Sequence, residues 1–490
     1  SKTSPINIAN EVLDHNKDKT LFSVFITEPG FVNFNVELDY YINNLSDILK
    51  NQKKFGKPTG KTQSANVEFV SCNPTGPLTI GHGRQAILGD VISNILSWHN
   101  YKVTREYYYN DAGNQMQILA ESCYAKYAKK IGKEFEAPDN AYIGEYLDEI
   151  ADKILKKFGK ELNKKDEQFR IFTEQQIFDN IQSTLDSLNV VFDVFSKEKS
   201  FYDDGSINQV LEKLLKLSLS YEKDGATWFK TTKLGKKEDK VLVKSSGEPT
   251  YRLPDIAYHI DKVERGFDLI VDVFGADHID SYPDVLLALD ALGTPTNHIK
   301  VVIHQFVTLK KDNQIVKMST RKANFVTLDE LIEKLNSDVI RYFFIMRGTN
   351  THLDFDLDLA MDESEKNPVY YLQYAHARIS NLIKRFNKEI KGKNKTNLSL
   401  LKEDDEIALI KKLSDFPTKM NQIHESLEPK QLATYLEDLA AHYHKFYGNH
   451  KVINQNNIDL SSARIKLCEA TQIILKTGLS ILGIQAPEKM

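Results

Sequence analysis

The chain has 490 residues, 41% hydrophobic and 27% charged, proportions of a soluble globular protein of about three domains rather than one small binding module. No apolar run approaches the ~18–20 residues a membrane helix needs, and a net charge of −4, from 64 Lys and Arg against 68 Asp and Glu, neither suggests nor excludes a nucleic-acid partner. The three cysteines, Cys72, Cys123 and Cys468, form no CxxC pair, which argues against a disulfide framework and a thiolate zinc site, and predicts a cytoplasmic protein without structural zinc.

Residues 1–60, with Pro29-Gly30-Phe31-Val32-Asn33 and a Gly, Pro and Lys-rich link at 56–61, read as a small separate α/β unit. Ser1 stands where an initiating Met would, so residues are expected to be missing from the beginning. Gly56-Lys57-Pro58-Thr59-Gly60-Lys61-Thr62 imitates a P-loop, but its glycines are one residue too close and a strand follows where a helix should. That strand is the alternating run Ser64 to Cys72, which enters a loop holding Pro74, Gly76 and Pro77.

After Gly83 the residues Ala86, Ile87, Val91, Ile92, Ile95 and Leu96 recur at helical spacing up to Asn100. Gly81-His82-Gly83 therefore falls at a helix N-terminus, where free N–H groups and the helix dipole attract an anion and a histidine can donate to a phosphate oxygen. The spacing of Gly81, Gly83 and Ala86 also imitates a dinucleotide fingerprint, yet the long Pro-rich loop before it replaces the tight turn that motif needs.

Residues 115–235 are Lys- and Glu-rich and read as a mostly helical insertion. Val241-Leu242-Val243, Asp268 to Phe274 and Lys300 to Val307 read as strands, with helical patterns between the last two, the rhythm of a doubly wound parallel sheet. Lys317-Met318-Ser319-Thr320-Arg321 follows in a loop rich in Lys and Asn, which alone is most simply a solvated charge run. Beyond residue 361 only four glycines occur, and the patterns Tyr370 to Phe386 and Gln431 to Tyr447 are amphipathic, so a helical bundle is expected over 361–490.

Taken together these motifs resemble a class I aminoacyl-tRNA synthetase, and specifically the arginyl enzymes. The resemblance runs through Val67 to Leu78, Gly81-His82-Gly83-Arg84, Tyr107 to Gln115, Thr250-Tyr251-Arg252-Leu253-Pro254-Asp255-Ile256-Ala257-Tyr258, Gly275-Ala276-Asp277-His278 and His304-Gln305. It continues through Lys317-Met318-Ser319, Phe355-Asp356-Leu357-Asp358, Tyr370 to Arg378 and the terminal Met490. Two positions depart from the family: Thr79 replaces the first His of the His-x-Gly-His signature, and Thr320 replaces the last Lys of Lys-Met-Ser-Lys.

The resemblance implies a Rossmann-like catalytic domain over 61–360, an anticodon-binding bundle over 361–490, and an N-terminal unit that contacts tRNA. It implies attachment of L-arginine to tRNA(Arg) through an arginyl-adenylate, with ATP and Mg²⁺, in a monomer. His82, Lys317 and Ser319 would stabilise charge on the reacting phosphates. Thr79, Gly81, Gly275, Asp277, His278, Gln305 and Met318 would complete the ATP site. Glu68, Ser71 and Asn73 would hold the α-ammonium and carboxylate of arginine, and Tyr251 and Asp255, with His278 beside them, the guanidinium. A buried Asp suits that permanently charged, five-donor fork, although Asp255 after Pro254 also suits a plain helix cap.

In the bundle, Tyr370, Tyr374, His376, Arg378, Phe446, Tyr447 and Arg464 suit stacking and phosphate contacts, with Tyr374, Arg378, Tyr447 and Met490 expected at tRNA. Two alternatives are a glutamyl or cysteinyl synthetase and a tRNA- or nucleotide-binding paralogue whose catalysis the two threonines have impaired. The cysteinyl case needs a thiolate zinc site, and the glutamyl case a cationic pocket where Asp255 stands.

Overall fold

The structure, a computed structural model, describes residues 3–15, 22–316, 326–390 and 396–490. Its centre is a five-stranded parallel sheet of Gln63–Glu68, Tyr101–Tyr109, Val194–Lys197, Leu269–Gly275 and Ile299–His304. Numbered in chain order, these strands lie side by side as 3-2-1-4-5. The order reverses between Gln63–Glu68 and Leu269–Gly275, and ligands of open α/β sheets bind in the crevice outside the carboxyl ends at such a reversal.

The reversal brings three acids into one row. Glu68 is in register with Glu106 on one neighbouring strand and Asp272 on the other. All three are buried, and adjacent like charges destabilise a sheet. The helix Arg252–Glu264 and the residue after it offset this: Lys262 Nζ donates to Glu68 Oε2 at 2.6 Å and Asp272 Oδ1 at 2.5 Å, and Arg265 donates to both oxygens of Glu106 at 2.8 and 3.0 Å.

Three expectations about this core change. Val241-Leu242-Val243 is a strand, but it belongs to a separate antiparallel sheet with Ser220–Lys223 and Ala226–Phe229. The hairpin there turns through Asp224 and Gly225, both at positive φ, the turn that zips neighbouring strands antiparallel. Lys300 to Val307 splits after His304, and Val307–Lys311 pairs in parallel with Leu353–Asp356 in another sheet. Within 115–235, helices such as Asn114–Lys130, Glu145–Phe158 and Glu167–Ser187 predominate, yet Val194–Lys197 forms an outer strand of the central sheet.

The helix Ile80–Trp98 crosses the sheet with nearly every side chain buried. Beyond it, the helices Pro368–Glu389, Asp404–Ser414, Phe416–Ser426, Lys430–Asn449 and Ile458–Ile481 form the C-terminal bundle. Near the N-terminus, the hairpin Phe22–Thr27 and Phe31–Val36 precedes the helix Leu38–Asn51. Leu45 and Ile48 of that helix are fully buried, packed against Asp404–Ser414 and Ile458–Ile481. No described helix is long and apolar enough to cross a membrane.

Candidate active site

Strand Gln63–Glu68 ends in an abrupt turn where Val70 and Ser71 take φ of 67° and 39°. A β-branched residue in the left-handed region is a strained conformation of the kind found at functional sites. The turn aims Ser71 Oγ back to donate to Glu68 Oε1 at 2.9 Å while it accepts from the Tyr108 N–H at 3.0 Å. Farther along the loop, Asn73 Nδ2 donates to Gln115 Oε1, whose own amide donates to Asn110 Oδ1, each at 2.8 Å.

Thr79 is the N-cap of the helix Ile80–Trp98, and His82 is its third helical residue, the two forming a capping box. The Thr79 N–H donates to His82 Nδ1 at 3.2 Å. Because Nδ1 accepts, a neutral His82 carries its proton on Nε2 and keeps one donor free. Burial holds His82 neutral, its pKa pushed down to about 4. Thr79, the departure from the family signature, is thus used as a cap that sets the His82 tautomer. Gly81, in the first turn, has no atom nearer than Thr79 Oγ1, at 3.6 Å from where its Cβ would be, so an anion can approach the backbone closely.

Across the reversal, Gly275 closes its strand and Ala276–His278 forms a short 3-10 turn. Asp277 is exposed, and its charge is felt by both His82 and His304. His278 stacks on Phe274 with ring centroids 4.9 Å apart. Together with Asp255, His259, Asp272 and Tyr282 these two rings line a small cleft.

Asp255 lies within the helix Arg252–Glu264, so it is not the helix cap. Among the described residues no side chain hydrogen-bonds to its carboxylate. Burial, followed by the repulsion of Glu68, raises its pKa to about 6 against the pull of His259, His278 and Lys262. Tyr251 is not brought to this cleft: it precedes the helix and is 70% exposed. The Gln305 carbonyl accepts from Arg84 Nη1, of the helix Ile80–Trp98, at 2.7 Å.

Lys317, Met318 and Ser319 lie outside the described residues. In the bundle, Arg378 lies over the rings of Tyr374 and Tyr447, at 4.3 and 5.3 Å from their centroids, and Met490 is exposed. Three other bundle residues expected to face RNA are core instead. Phe446 is fully buried. Arg464 Nε donates to buried Glu406 at 2.7 Å, and His376 Nδ1 donates to the Pro487 carbonyl at 2.8 Å. Arg464 and the Nδ1–H of His376 thus find internal partners, which offsets the cost of burying them, while His376 Nε2 is buried without a described partner.

Sequence reasoning missed Lys262, His259, Asp272 and Arg84. Signals existed: Asp255, His259 and Lys262 fall four and then three residues apart, one face of a helix, and Asp272 interrupts the apolar strand Leu269–Gly275. Glu68, His259 and Asp272 also sit close enough to hold a metal ion. The Lys262 ammonium already bridges Glu68 and Asp272 in that place.

The family model "tRNA synthetases class I (R), catalytic domain" matches residues 44–342, and "DALR anticodon binding domain" matches residues 372–490. An arginine-tRNA ligase of Salinibacter ruber is 46% identical, over 99% of this chain and 91% of its own length. One of Desulfotalea psychrophila is also 46% identical, over 95% of this chain and 86% of its own length. Among solved structures, a putative arginyl-tRNA synthetase from Campylobacter jejuni is 30% identical with a TM-score of 0.82, covering 93% of this chain and 100% of that one. The Thermus thermophilus arginyl-tRNA synthetase, 20% identical, shares the fold with a TM-score of 0.77, over 100% of this chain and 92% of that one. With a parallel-sheet catalytic domain, an anticodon-binding bundle and near full-length identity of this size, the chain belongs to the class I arginine-tRNA ligases.

Proposed function

We propose that the chain attaches L-arginine to tRNA(Arg) in two ATP-dependent steps. The arginine α-carboxylate attacks the α-phosphorus of ATP; a phosphorus–oxygen bond forms, the bond to the β-phosphate breaks, and pyrophosphate leaves with the electron pair. A terminal ribose hydroxyl of tRNA then attacks the arginyl carbonyl, loses its proton and displaces AMP. Neither step needs a protein nucleophile, so the protein's work is alignment and stabilisation of phosphate charge.

The first turn of Ile80–Trp98 and the Nε2–H of His82 supply donors for the phosphates, and Lys317 and Ser319 of the Lys-Met-Ser signature add to them, with Met318 between. Thr79, Gly81, Gly275, Asp277, His278 and Gln305 complete the nucleotide site. Mg²⁺ enters with ATP as part of that substrate. Glu68, Ser71 and Asn73 orient the α-ammonium and carboxylate, and Asp255 takes the guanidinium, with Tyr251 assigned beside it by the motif alone. Residues 61–360 carry this chemistry, residues 361–490 read the anticodon through Tyr374, Arg378, Tyr447 and Met490, and residues 1–60 touch tRNA elsewhere. The protein acts as a cytoplasmic monomer.

The observation that supports arginine most directly is Asp255: a half-buried carboxylate facing a cleft with no side-chain donor of its own. A site built around such an acceptor leaves its charge uncompensated with citrulline, whose neutral ureido group puts a carbonyl oxygen where arginine has a donor nitrogen, and so rejects it strongly. The test is charging of tRNA with arginine, lysine, citrulline and glutamate by the unaltered protein and by Asp255→Asn. Arginine alone should be charged, and the substitution should lower kcat/KM for arginine by ~100-fold or more. Equal charging of lysine, or an unaffected variant, rejects the reading.

A further inference from the structure

Lys262 is fully buried, and its ammonium lies between Glu68 and Asp272, two acids that adjacent strands hold in register. Neighbouring strands stand about 4.8 Å apart, so the two carboxylates form a rigid fork with one place for the ammonium between them. A buried ion pair repays little of its desolvation, and apolar residues of similar volume often serve stability as well or better. Stability alone therefore gives no reason for a lysine and two acids at these positions.

Their placement does. Glu68 Oε1 accepts from Ser71 Oγ while Oε2 accepts from Lys262. An ionised carboxylate has about four acceptor sites, so these two donors fix its plane and leave sites over. Lys262 also belongs to the helix Arg252–Glu264, seven residues after Asp255, which is about 10 Å along the helix axis. His259 stands between them: its Nε2 lies 3.1 Å from Asp272 Oδ2, and its Nδ1 donates to the Asp255 carbonyl at 2.7 Å. One pair of strands thus holds Glu68 and Ser71 directly, and through Lys262 and His259 it holds the turn of helix that carries Asp255. Tyr258 and Arg265 tie the same stretch to Glu106 instead. Among the described residues, Lys262 is the side chain of this helix that hydrogen-bonds Glu68.

We infer that Lys262 is a positioning residue that sets the spacing between the groups receiving the α-ammonium of arginine, Glu68 and Ser71, and the Asp255 carboxylate receiving its guanidinium, and so selects the length of the substrate side chain. This rests on the arginine reading above and deepens it. A substrate one methylene longer or shorter cannot satisfy both ends of a site whose two halves are locked to one cation.

The test is equilibrium binding of L-arginine, L-homoarginine and L-norarginine, the latter two with one methylene more and one fewer, to the intact protein. Both homologues should bind the unaltered protein at least about tenfold more weakly than arginine. In Lys262→Met that ratio should shrink to about threefold or less, and Lys262→Arg, which restores a cation, should recover most of it. Tyr258→Phe, which removes a tie to Glu106, should lower the melting temperature and leave the ratio intact. Partial unfolding weakens all three ligands alike and cannot produce this pattern. Should Lys262→Met not melt cooperatively, the double variant Lys262→Met with Asp272→Asn, which removes a buried acid along with the base, gives the same reading. If the unaltered protein binds either homologue as tightly as arginine, the inference is overturned without recourse to any variant. It is overturned equally if the ratio survives in a folded variant lacking Lys262, or if Tyr258→Phe loses it to the same extent. Charging of tRNA with arginine by the unaltered protein tests the underlying reading separately. A protein that shows the binding pattern and charges nothing refutes the synthetase activity and leaves Lys262 assigned, whereas one that charges arginine with a ratio insensitive to Lys262 keeps the activity and loses this inference.

Discussion

Burial lifts the Asp255 pKa from the ordinary 3.8 to about 6, so the folded state holds that proton more tightly than the unfolded chain does. The stabilisation from the neutral form is complete below about pH 4 and is lost as pH rises through about 6. Two outcomes follow from the same carboxyl. With Asp255 as the proposed guanidinium partner, arginine binding needs its charged form, so affinity should fall as pH drops below about 6, approaching a tenfold loss per unit in a direct titration. Conversely, Asp255→Asn should melt at a higher temperature than the unaltered protein at pH 8, by a few degrees, and the gain should shrink at pH 4. A variant no more stable at pH 8 would mean that the carboxylate is adequately compensated in the empty site. Lys262 shows the opposite balance: its two carboxylate partners overcome desolvation and push its pKa above the usual lysine value.

At the scale of elements, the helix Ile80–Trp98 is positioned by what its glycines omit. A Cβ on Gly89 would fall 2.1 Å from the ring of Phe69, and one on Gly83 would fall 2.8 Å from Leu328. This helix therefore lies directly against the strained turn that carries Glu68 and Ser71. Gly89→Ala gains helix propensity of up to ~1 kcal/mol but forces Phe69 aside, at about 1–3 kcal/mol or more. Urea unfolding should show net destabilisation, and KM should rise for both ATP and arginine, because the two halves of the site share this contact. A neutral or stabilised variant would show that Phe69 moves without strain.

At the scale of the whole molecule, Arg341 joins distant parts of the chain through one fully buried guanidinium. It donates to the Leu482 carbonyl after the last bundle helix at 3.0 Å, to the Leu188 carbonyl of the insertion at 2.8 Å, and to Asp90 of the helix Ile80–Trp98. Gly483 has φ +71°, and a Cβ there would lie 2.1 Å from Arg341 Nη2, so the end of the bundle closes over the arginine. Arg341→Met strands buried carbonyls and part of the Asp90 charge, a loss of ~3–5 kcal/mol. Melting should move down by several degrees, and near-neutral stability would show that the three segments are held by apolar packing alone.

The motifs of this chain were legible because each needs only local chemistry. The N-terminus of Ile80–Trp98, with its Thr79 cap and glycines, is a property of consecutive residues, and the amphipathic stripes of the bundle follow from 3.6-residue periodicity. What periodicity cannot carry is strand order. Val241-Leu242-Val243 reads like any buried strand, and only its antiparallel pairing with Ala226–Phe229 removes it from the parallel sheet. The row of Glu68, Glu106 and Asp272 joins residues far apart in sequence, and so do the Lys262 and Arg265 bridges that make it tolerable. Phe446, His376 and Arg464 look on paper like Tyr374 and Arg378, and burial alone separates them. Sequence by itself determined the family, the α/β core, the helical bundle and the order of the chemical motifs, since these reside in short-range patterns. Tertiary structure decided which charges meet, which aromatics face solvent, and which polar atoms are buried without a partner, because each depends on contacts between segments that no local pattern encodes.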